Sequence, residues 1–97
     1  MITSKQRAYL RSLANGIDPI FQVGKAGVTP ELTAAIDDAL EARELIKIQI
    51  LQNCLEDPKV IMSKLSERTH SEPVQQIGKR LVLYRPSKDK PKIQLSK

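Results

Sequence analysis

Residues 20–30 of this chain read IFQVGKAGVTP, and this stretch decides how the rest of the chain is arranged. Its first four residues are mostly apolar and follow a turn-like GIDP segment, which predicts a short strand. Its last two residues predict a helix start, because Thr29 can cap the first turn and Pro30 suits the first helical position. Between the strand and the helix lies a turn of sequence GKAG, residues 24–27.

The GKAG turn has the composition of a loop that holds a phosphate. Its glycines, Gly24 and Gly27, allow a close approach, because no Cβ stands in the way and a positive φ costs little. The N–H groups and the dipole of the following helix favour an anion, and Lys25 adds a positive charge beside Ala26 at the tip. No catalytic group is near in sequence, so we expect the phosphate to be held and not cleaved.

The composition indicates a small soluble domain. The chain has 97 residues, of which 40% are hydrophobic, and this is enough for one modest core. The single Cys54 cannot form an internal disulfide, so we expect a reducing, cytoplasmic location. No apolar run approaches the length of a membrane span, and the first residues lack the apolar core of a signal peptide. We therefore expect no membrane partner.

The net charge of +5 is distributed unevenly along the chain. Residues 1–30 carry four basic side chains and one acidic, residues 31–72 carry five basic and nine acidic, and residues 73–97 carry seven basic and one acidic. This segregation predicts a negative surface and a positive one, and the positive one is typical of nucleic-acid binding. Ordinary solubility charge remains the alternative. Because only 3% of residues are aromatic, stacking of RNA bases on a row of rings is disfavoured.

The remaining patterns predict three helices and four strands in the order α-β-α-β-α-β-β. The helices are expected at residues 3–15, 30–43 and 57–68, and the strands at 20–23, 45–51, 73–77 and 80–85. Helical crossovers allow the first two strands to pair in parallel, whereas the last two must form an antiparallel hairpin. The sequence thus predicts a single α/β domain, residues 1–86, with a mixed four-stranded sheet covered by helices. Residues 87–97 are predicted to form a basic, flexible tail.

Two charged helix faces have competing interpretations. Arg7 and Arg11 lie four residues apart on the first helix, where they could hold a phosphate between them or simply be solvated. On the second helix Asp37, Asp38 and Glu41 share a face that we expect to be solvated and turned away from a polyanion. A divalent-ion site there is disfavoured, because no oxygen-rich loop accompanies the carboxylates.

Several enzyme classes are excluded by what the sequence lacks. The GKAG glycines are too close together for a nucleotide-hydrolysing P-loop, and Ala26 follows Lys25 where that motif needs a Ser or Thr magnesium ligand. We find no Ser-His-Asp set, no Cys-His pair and no zinc-binding spacing. The chain is therefore predicted not to be an enzyme, with no cofactor and no small-molecule substrate. A Gly-x-x-Gly loop is also the device with which KH domains clamp a nucleic-acid backbone.

Four segments of the chain together resemble the CRM domain, named for chloroplast RNA splicing and ribosome maturation. They are TSKQRAYLR (3–11), QVGKAG (22–27), ALEARELIK (39–47) and IGKRLVLYRP (77–86). The similarity is greatest to the small stand-alone bacterial members, of YhbY type, and is weakest over residues 54–72. It implies a fold similar to the C-terminal domain of translation initiation factor 3. It also implies RNA binding, association with precursors of the large ribosomal subunit, and GKAG as the RNA-contacting loop.

Two functional hypotheses follow. The first is a monomeric, cytoplasmic assembly factor that binds ribosomal RNA through the loop, the first helix and basic residues near the C-terminus. The predicted contacts are Gly24, Lys25, Ala26, Gly27, Lys5, Arg7, Arg11, Lys79, Arg80 and Arg85. The alternative is a protein-interaction adaptor whose acidic second helix docks a basic partner, such as a ribosomal protein.

Overall fold

The computed structural model describes residues 2–89, 91–93 and 95. Its elements follow the predicted order, with bounds within about two residues of those expected from sequence. They are α1 (Ser4–Ala14), β1 (Phe21–Val23), α2 (Pro30–Arg43), β2 (Leu45–Ile50), α3 (Pro58–Thr69), β3 (Glu72–Ile77) and β4 (Arg80–Tyr84). Within the described residues, no helix combines the length and apolar character that crossing a bilayer requires.

Each helix begins at a side-chain cap that the sequence predicts. The Thr3 hydroxyl accepts the N–H of Gln6, whose own side chain accepts the N–H of Thr3, so a complete capping box starts α1. Thr29 accepts the N–H of Leu32 at the start of α2, and Asp57 accepts the N–H of Lys59 at the start of α3. Local chemistry therefore fixes where the helices begin.

The four strands form one mixed sheet in the order β1-β2-β4-β3. β1 pairs with β2 in parallel, as the helical crossover predicts, and β4 runs antiparallel to both β2 and β3. The edge strand β1 has only three residues, and the other edge strand, β3, carries a register shift between Pro73 and Gln75. The fold class predicted from sequence is confirmed.

The sheet separates two apolar clusters because the strand side chains alternate between its faces. One face packs against α2 and α3, and its cluster includes Ile36, Leu40, Ile61 and Leu65 from the helices and Ile46, Ile48, Ile50, Leu81 and Leu83 from the strands. The other face packs against α1 through Leu10, Ala14, Leu45, Val74, Val82 and Tyr84. On this second face, α1 packs over the beginning of β2. The part of the face beside the end of β2 is more open.

Part of the C-terminal segment, for which the sequence predicts a flexible tail, contacts the folded domain. Its described residues run along the end of α2, where Ser87 is buried and Ile93 and Leu95 pack against the α1-side cluster. The Glu41 carboxylate accepts the Ser87 hydroxyl at 2.6 Å and the backbone N–H of Lys88 at 3.0 Å. These contacts were not predicted from sequence, because the acidic partners of this basic segment lie more than forty residues earlier in the chain. Residues 90, 94, 96 and 97 of the predicted tail lie outside the described residues.

Glu44 is the centre of this C-terminal attachment. Its side chain is fully buried, and its carboxylate accepts the backbone N–H groups of Ser87 and Ile93 at 2.7 Å and also that of Lys92. Its backbone has φ 68°, a conformation more readily adopted by glycine. The three hydrogen bonds that its carboxylate accepts offset the cost of this backbone conformation.

Acid should loosen this attachment. Burial raises the pKa of Glu44, but the hydrogen bonds from Ser87, Ile93 and Lys92 outweigh it, so the net pKa lies below the ordinary value of 4.5. The carboxylate therefore contributes stability above about pH 4.5, and this contribution is lost as the pH falls through the lower folded-state pKa. Urea unfolding from neutral to acidic pH should show this loss. Glu44→Gln should flatten the curve in this range, and an unchanged pH dependence would contradict the role given to Glu44.

Candidate nucleic-acid interface

The GKAG loop, residues 24–27, forms a closed turn at the end of β1. The Gly27 N–H donates to the Gly24 carbonyl at 3.0 Å, which leaves Lys25 and Ala26 exposed at the tip. Gly27 has φ +68°, so the turn needs glycine there for a backbone reason. Gly24 lacks a positive φ, and a Cβ added to it would meet its nearest neighbour, the Asn53 side-chain oxygen, at 3.4 Å. Neither the backbone conformation nor the space around position 24 therefore requires glycine there.

The start of α2 contributes less to anion binding than the sequence suggests. Thr29 already accepts the Leu32 N–H at 3.1 Å, and Pro30 has no N–H to offer. Glu31 also places an exposed carboxylate in the first turn. A phosphate at this end of the molecule would therefore be held mainly by the loop and its basic neighbours. The helix dipole would make only a small contribution.

A carboxylate stands beside the loop and is neutralised by a lysine. A Cβ at Gly27 would lie 3.0 Å from an Oε atom of Glu56, so this side chain borders the turn. The other Glu56 oxygen accepts the Lys64 ammonium at 2.7 Å. This ion pair removes much of the repulsion that Glu56 would exert on a phosphate at the loop. Lys64 was not predicted from sequence, because only the tertiary fold brings Glu56, in the loop before α3, beside Gly27.

The turn between β3 and β4 lies at the same end of the sheet as the GKAG loop. The Ile50 N–H donates to the Lys79 carbonyl at 2.7 Å, and the Leu51 N–H donates to the Val23 carbonyl at 2.8 Å. The end of β2 thus joins the two turns, which lie on either side of it at a spacing of about 5 Å per strand. Lys25, Lys79 and Arg80 are all exposed there. The structure brings these three predicted residues to one end of the sheet.

A polar stripe continues from this end across the open part of the α1-side face. In the register, Gln22 pairs with Gln49, which pairs with Arg80, and Lys47 pairs with Val82 in the next row. Because paired residues share a face, these side chains lie on one surface. Lys47 was not among the predicted site residues. The signal that could have identified it is the basic residue in the alternation of Ile46, Lys47 and Ile48.

The predicted residues of α1 lie on the same face but at its other end. Lys5 and Arg11 are exposed and Arg7 is partly buried, on a helix that packs over the beginning of β2. They are therefore separated from the GKAG loop by the polar stripe. A ligand that contacts both groups must extend along the sheet.

Arg85 does not belong to this surface. Its side chain is about nine-tenths buried, and its guanidinium pairs with Asp37, lies 3.5 Å from a Glu41 oxygen and donates to the Thr69 carbonyl at 2.9 Å. The predicted contact is thus occupied within the fold, where it ties β4 to α2 and α3. From sequence, a basic residue at the end of a strand is expected to be exposed. In the structure, Arg85 instead faces the carboxylates of Asp37 and Glu41.

The acidic face of α2 is likewise engaged by the chain itself. Asp37 and Glu41 pair with Arg85, and Glu41 also binds residues 87–89. Asp38 is exposed, as expected. The predicted solvated face is therefore largely used for internal contacts, and this weakens the adaptor hypothesis, which needs these carboxylates for a partner. Among the described residues, no group of three or more metal-ligating side chains is arranged to hold a metal ion.

Comparisons with known proteins agree on one family. The profile of the CRS1 / YhbY (CRM) domain matches residues 2–85. The chain is 48% identical over 95 residues to the Probable RNA-binding protein YqeI of Bacillus subtilis, covering 98% of this chain and 99% of that one. It is 37% identical to an RNA-binding protein of Haemophilus influenzae, covering 97% and 94% of the two chains. The solution structure of SAV1595 from Staphylococcus aureus superposes with a TM-score of 0.83 at 53% identity, covering 99% of this chain and 100% of that one.

Proposed function

The chain belongs to the CRS1 / YhbY (CRM) domain family, and on that premise we propose that it binds structured RNA through the sheet end that carries the GKAG loop. Its relatives in Bacillus subtilis and Haemophilus influenzae bear RNA-binding names and match nearly the whole chain. RNA binding is accordingly the general function of this domain. We add to it a proposed position for the RNA-binding site and a proposed kind of RNA.

The observation that carries the proposal is the convergence of two turns at one end of the sheet. At Gly24 the GKAG loop has no side chain that would keep a phosphate away from the backbone, and the β3–β4 turn adds the exposed Lys79 and Arg80. The polar stripe through Lys47 leads from there toward α1. A ligand with regularly spaced phosphates could contact the loop, the stripe and α1 together, and this pattern suits a folded RNA better than a compact anion.

We further propose that the RNA is ribosomal and belongs to a precursor of the large subunit, where the protein acts as a monomeric, cytoplasmic assembly factor. The resemblance of four sequence segments to the bacterial YhbY type supports this assignment. Recognition rests mainly on backbone and shape, because base-stacking rings are scarce: Tyr9 is about half exposed, and Tyr84 is buried. No catalytic step is proposed, and bound RNA leaves unchanged.

A salt titration tests the RNA proposal. Affinity for a folded large-subunit RNA fragment should fall steeply with salt, with a log–log slope that reflects several displaced counterions. Scrambled single strands should compete poorly, and base changes that preserve the fold should have small effects. A salt-independent interaction, or a strong preference for one short single-stranded sequence, would contradict the proposal.

Two further measurements complete the test. ATP and GTP turnover, measured in the same preparations, should be absent. Sequencing of RNA crosslinked to the protein in cells identifies the bound segment.

A further inference from the structure

A cavity of about 540 Å³ opens on the α1-side face, beside the polar stripe. Its volume lies within the range of small-ligand pockets. Its apolar lining comes from the end of α1, the loop after it, the beginning of β2 and the C-terminal segment: Leu13, Ile17, Leu45 and Ile93. Ile20 stands at its rim and is 40% exposed, although its N–H is fixed to the Lys47 carbonyl at 3.0 Å.

Three charged side chains line the same cavity. They are the cations Arg43 and Lys47 and the carboxylate of Asp18. In the part of the chain that the structure describes, none of the three takes part in an ion pair. The apolar side chains of the cavity suit a flat ring. The two unpaired cations suit a phosphate at one end of that ring, and the unpaired carboxylate suits a hydrogen-bond donor at the other end.

From this arrangement we propose that the cavity binds one unpaired nucleotide of the bound RNA. The base enters between the apolar side chains, the phosphate meets Arg43 and Lys47, and Asp18 accepts a hydrogen bond from the edge of the base. The inference rests on the proposed function, since Lys47 belongs to both the stripe and the cavity. It adds one base-reading contact to recognition that otherwise depends on backbone and shape.

The carboxylate of Asp18 determines which bases are preferred. Guanine, adenine and cytosine each carry an exocyclic amino group that can donate to it, as carboxylates do in base readout. Uracil has only one ring N–H, flanked by two carbonyl oxygens that repel the carboxylate. The site should therefore discriminate against uracil.

The experiment titrates the full chain with nucleoside 5′-monophosphates and follows isoleucine methyl groups by NMR. GMP, AMP and CMP should shift the methyls of Ile17, Ile20 and Ile93 saturably and leave that of Ile61, which is buried on the other face of the sheet, unchanged. Affinity for these three nucleotides should exceed that for UMP about tenfold, the discrimination typical of one good base contact. Asp18→Asn should remove this preference, and Ile20→Ser should weaken binding of all four.

Two matched variants serve as controls. Asp38→Asn changes another exposed carboxylate, and Val60→Ser changes a valine that is 46% exposed on α3, so neither should alter nucleotide binding. Equal shifts with ribose 5-phosphate would show that only the phosphate is bound and would overturn the nucleobase assignment. Shifts that change with protein concentration before nucleotide is added would assign the cavity to a second copy of the chain.

RNA binding is measured in parallel so that the two proposals fail separately. If folded RNA binds but the cavity methyls do not respond to nucleotides, the cavity inference is wrong and the proposed function stands. If nucleotides bind but folded RNA does not, the cavity is a mononucleotide site, and both the inference and the proposed function are wrong.

Discussion

Gly24→Asp should weaken the binding of folded RNA on the order of a hundredfold, because like charges placed together cost several kcal/mol at an interface. The substitution puts a carboxylate into the loop where the phosphate is proposed to lie. Gly24 can accept it, since its backbone is not in the left-handed region and its nearest neighbours, Asn53 and Leu51, leave 3.4 and 3.6 Å to an added Cβ. The measurement is an RNA titration paired with a thermal melt of each variant.

Two milder variants at the same loop separate charge from bulk. Gly24→Ala adds a methyl group alone and should have a much smaller effect than the aspartate. Lys25→Ala removes one exposed phosphate contact, which should cost about 1 kcal/mol and lower the salt slope by about one. Gly27 is unsuitable for this test, because φ +68° and a 3.0 Å approach to Glu56 would strain any side chain there. A folded Gly24→Asp protein that binds like the parent would show that the loop is only a structural turn.

Glu44→Ala should give the largest loss of stability of any single carboxylate removal described here. Three backbone N–H groups of the C-terminal segment then lose their acceptor. Either they stay buried without a partner, or the segment detaches and exposes Ile93 and Leu95. We expect a decrease of about 2–4 kcal/mol in the free energy of unfolding. For a domain of this size that corresponds to a Tm roughly 10–25 °C lower.

The matched control for this variant is Glu67→Ala, which removes an exposed carboxylate from α3. Its stability should change by less than about 0.5 kcal/mol. Hydrogen exchange provides a second readout, because the N–H groups of Ser87 and Ile93 should lose protection in Glu44→Ala even under native conditions. Equal melting temperatures for the two variants would contradict the buried role of Glu44.

Much of the fold was predictable because its determinants are local. The caps at Thr3, Thr29 and Asp57 each act within three residues, and the alternation in β2 marks its buried face directly. The strand order was not predictable, because the placement of β4 between β2 and β3 depends on pairings distant in sequence. Periodicity identifies a strand but does not select its neighbours.

The site shows the same division between local and distant determinants. The GKAG loop and the Gly78-Lys79 turn are visible in the sequence because glycine marks them. Arg85 was assigned to the surface because its partners, Asp37 and Glu41, lie more than forty residues away. Lys64 and Lys47 were missed for related reasons, since their positions beside Glu56 and on the open sheet face follow from tertiary packing.

The edges of the sheet bear on how the free protein behaves in a crowded solution. β1 has only three residues, and Pro73 and the adjacent register shift make the other edge strand, β3, irregular. Unpaired edges are where proteins join into continuous sheets and aggregate, and short strands, proline and bulges are devices that prevent it. Concentrated samples should therefore remain dispersed without RNA, and replacing Pro73 with valine should make them prone to fibril formation.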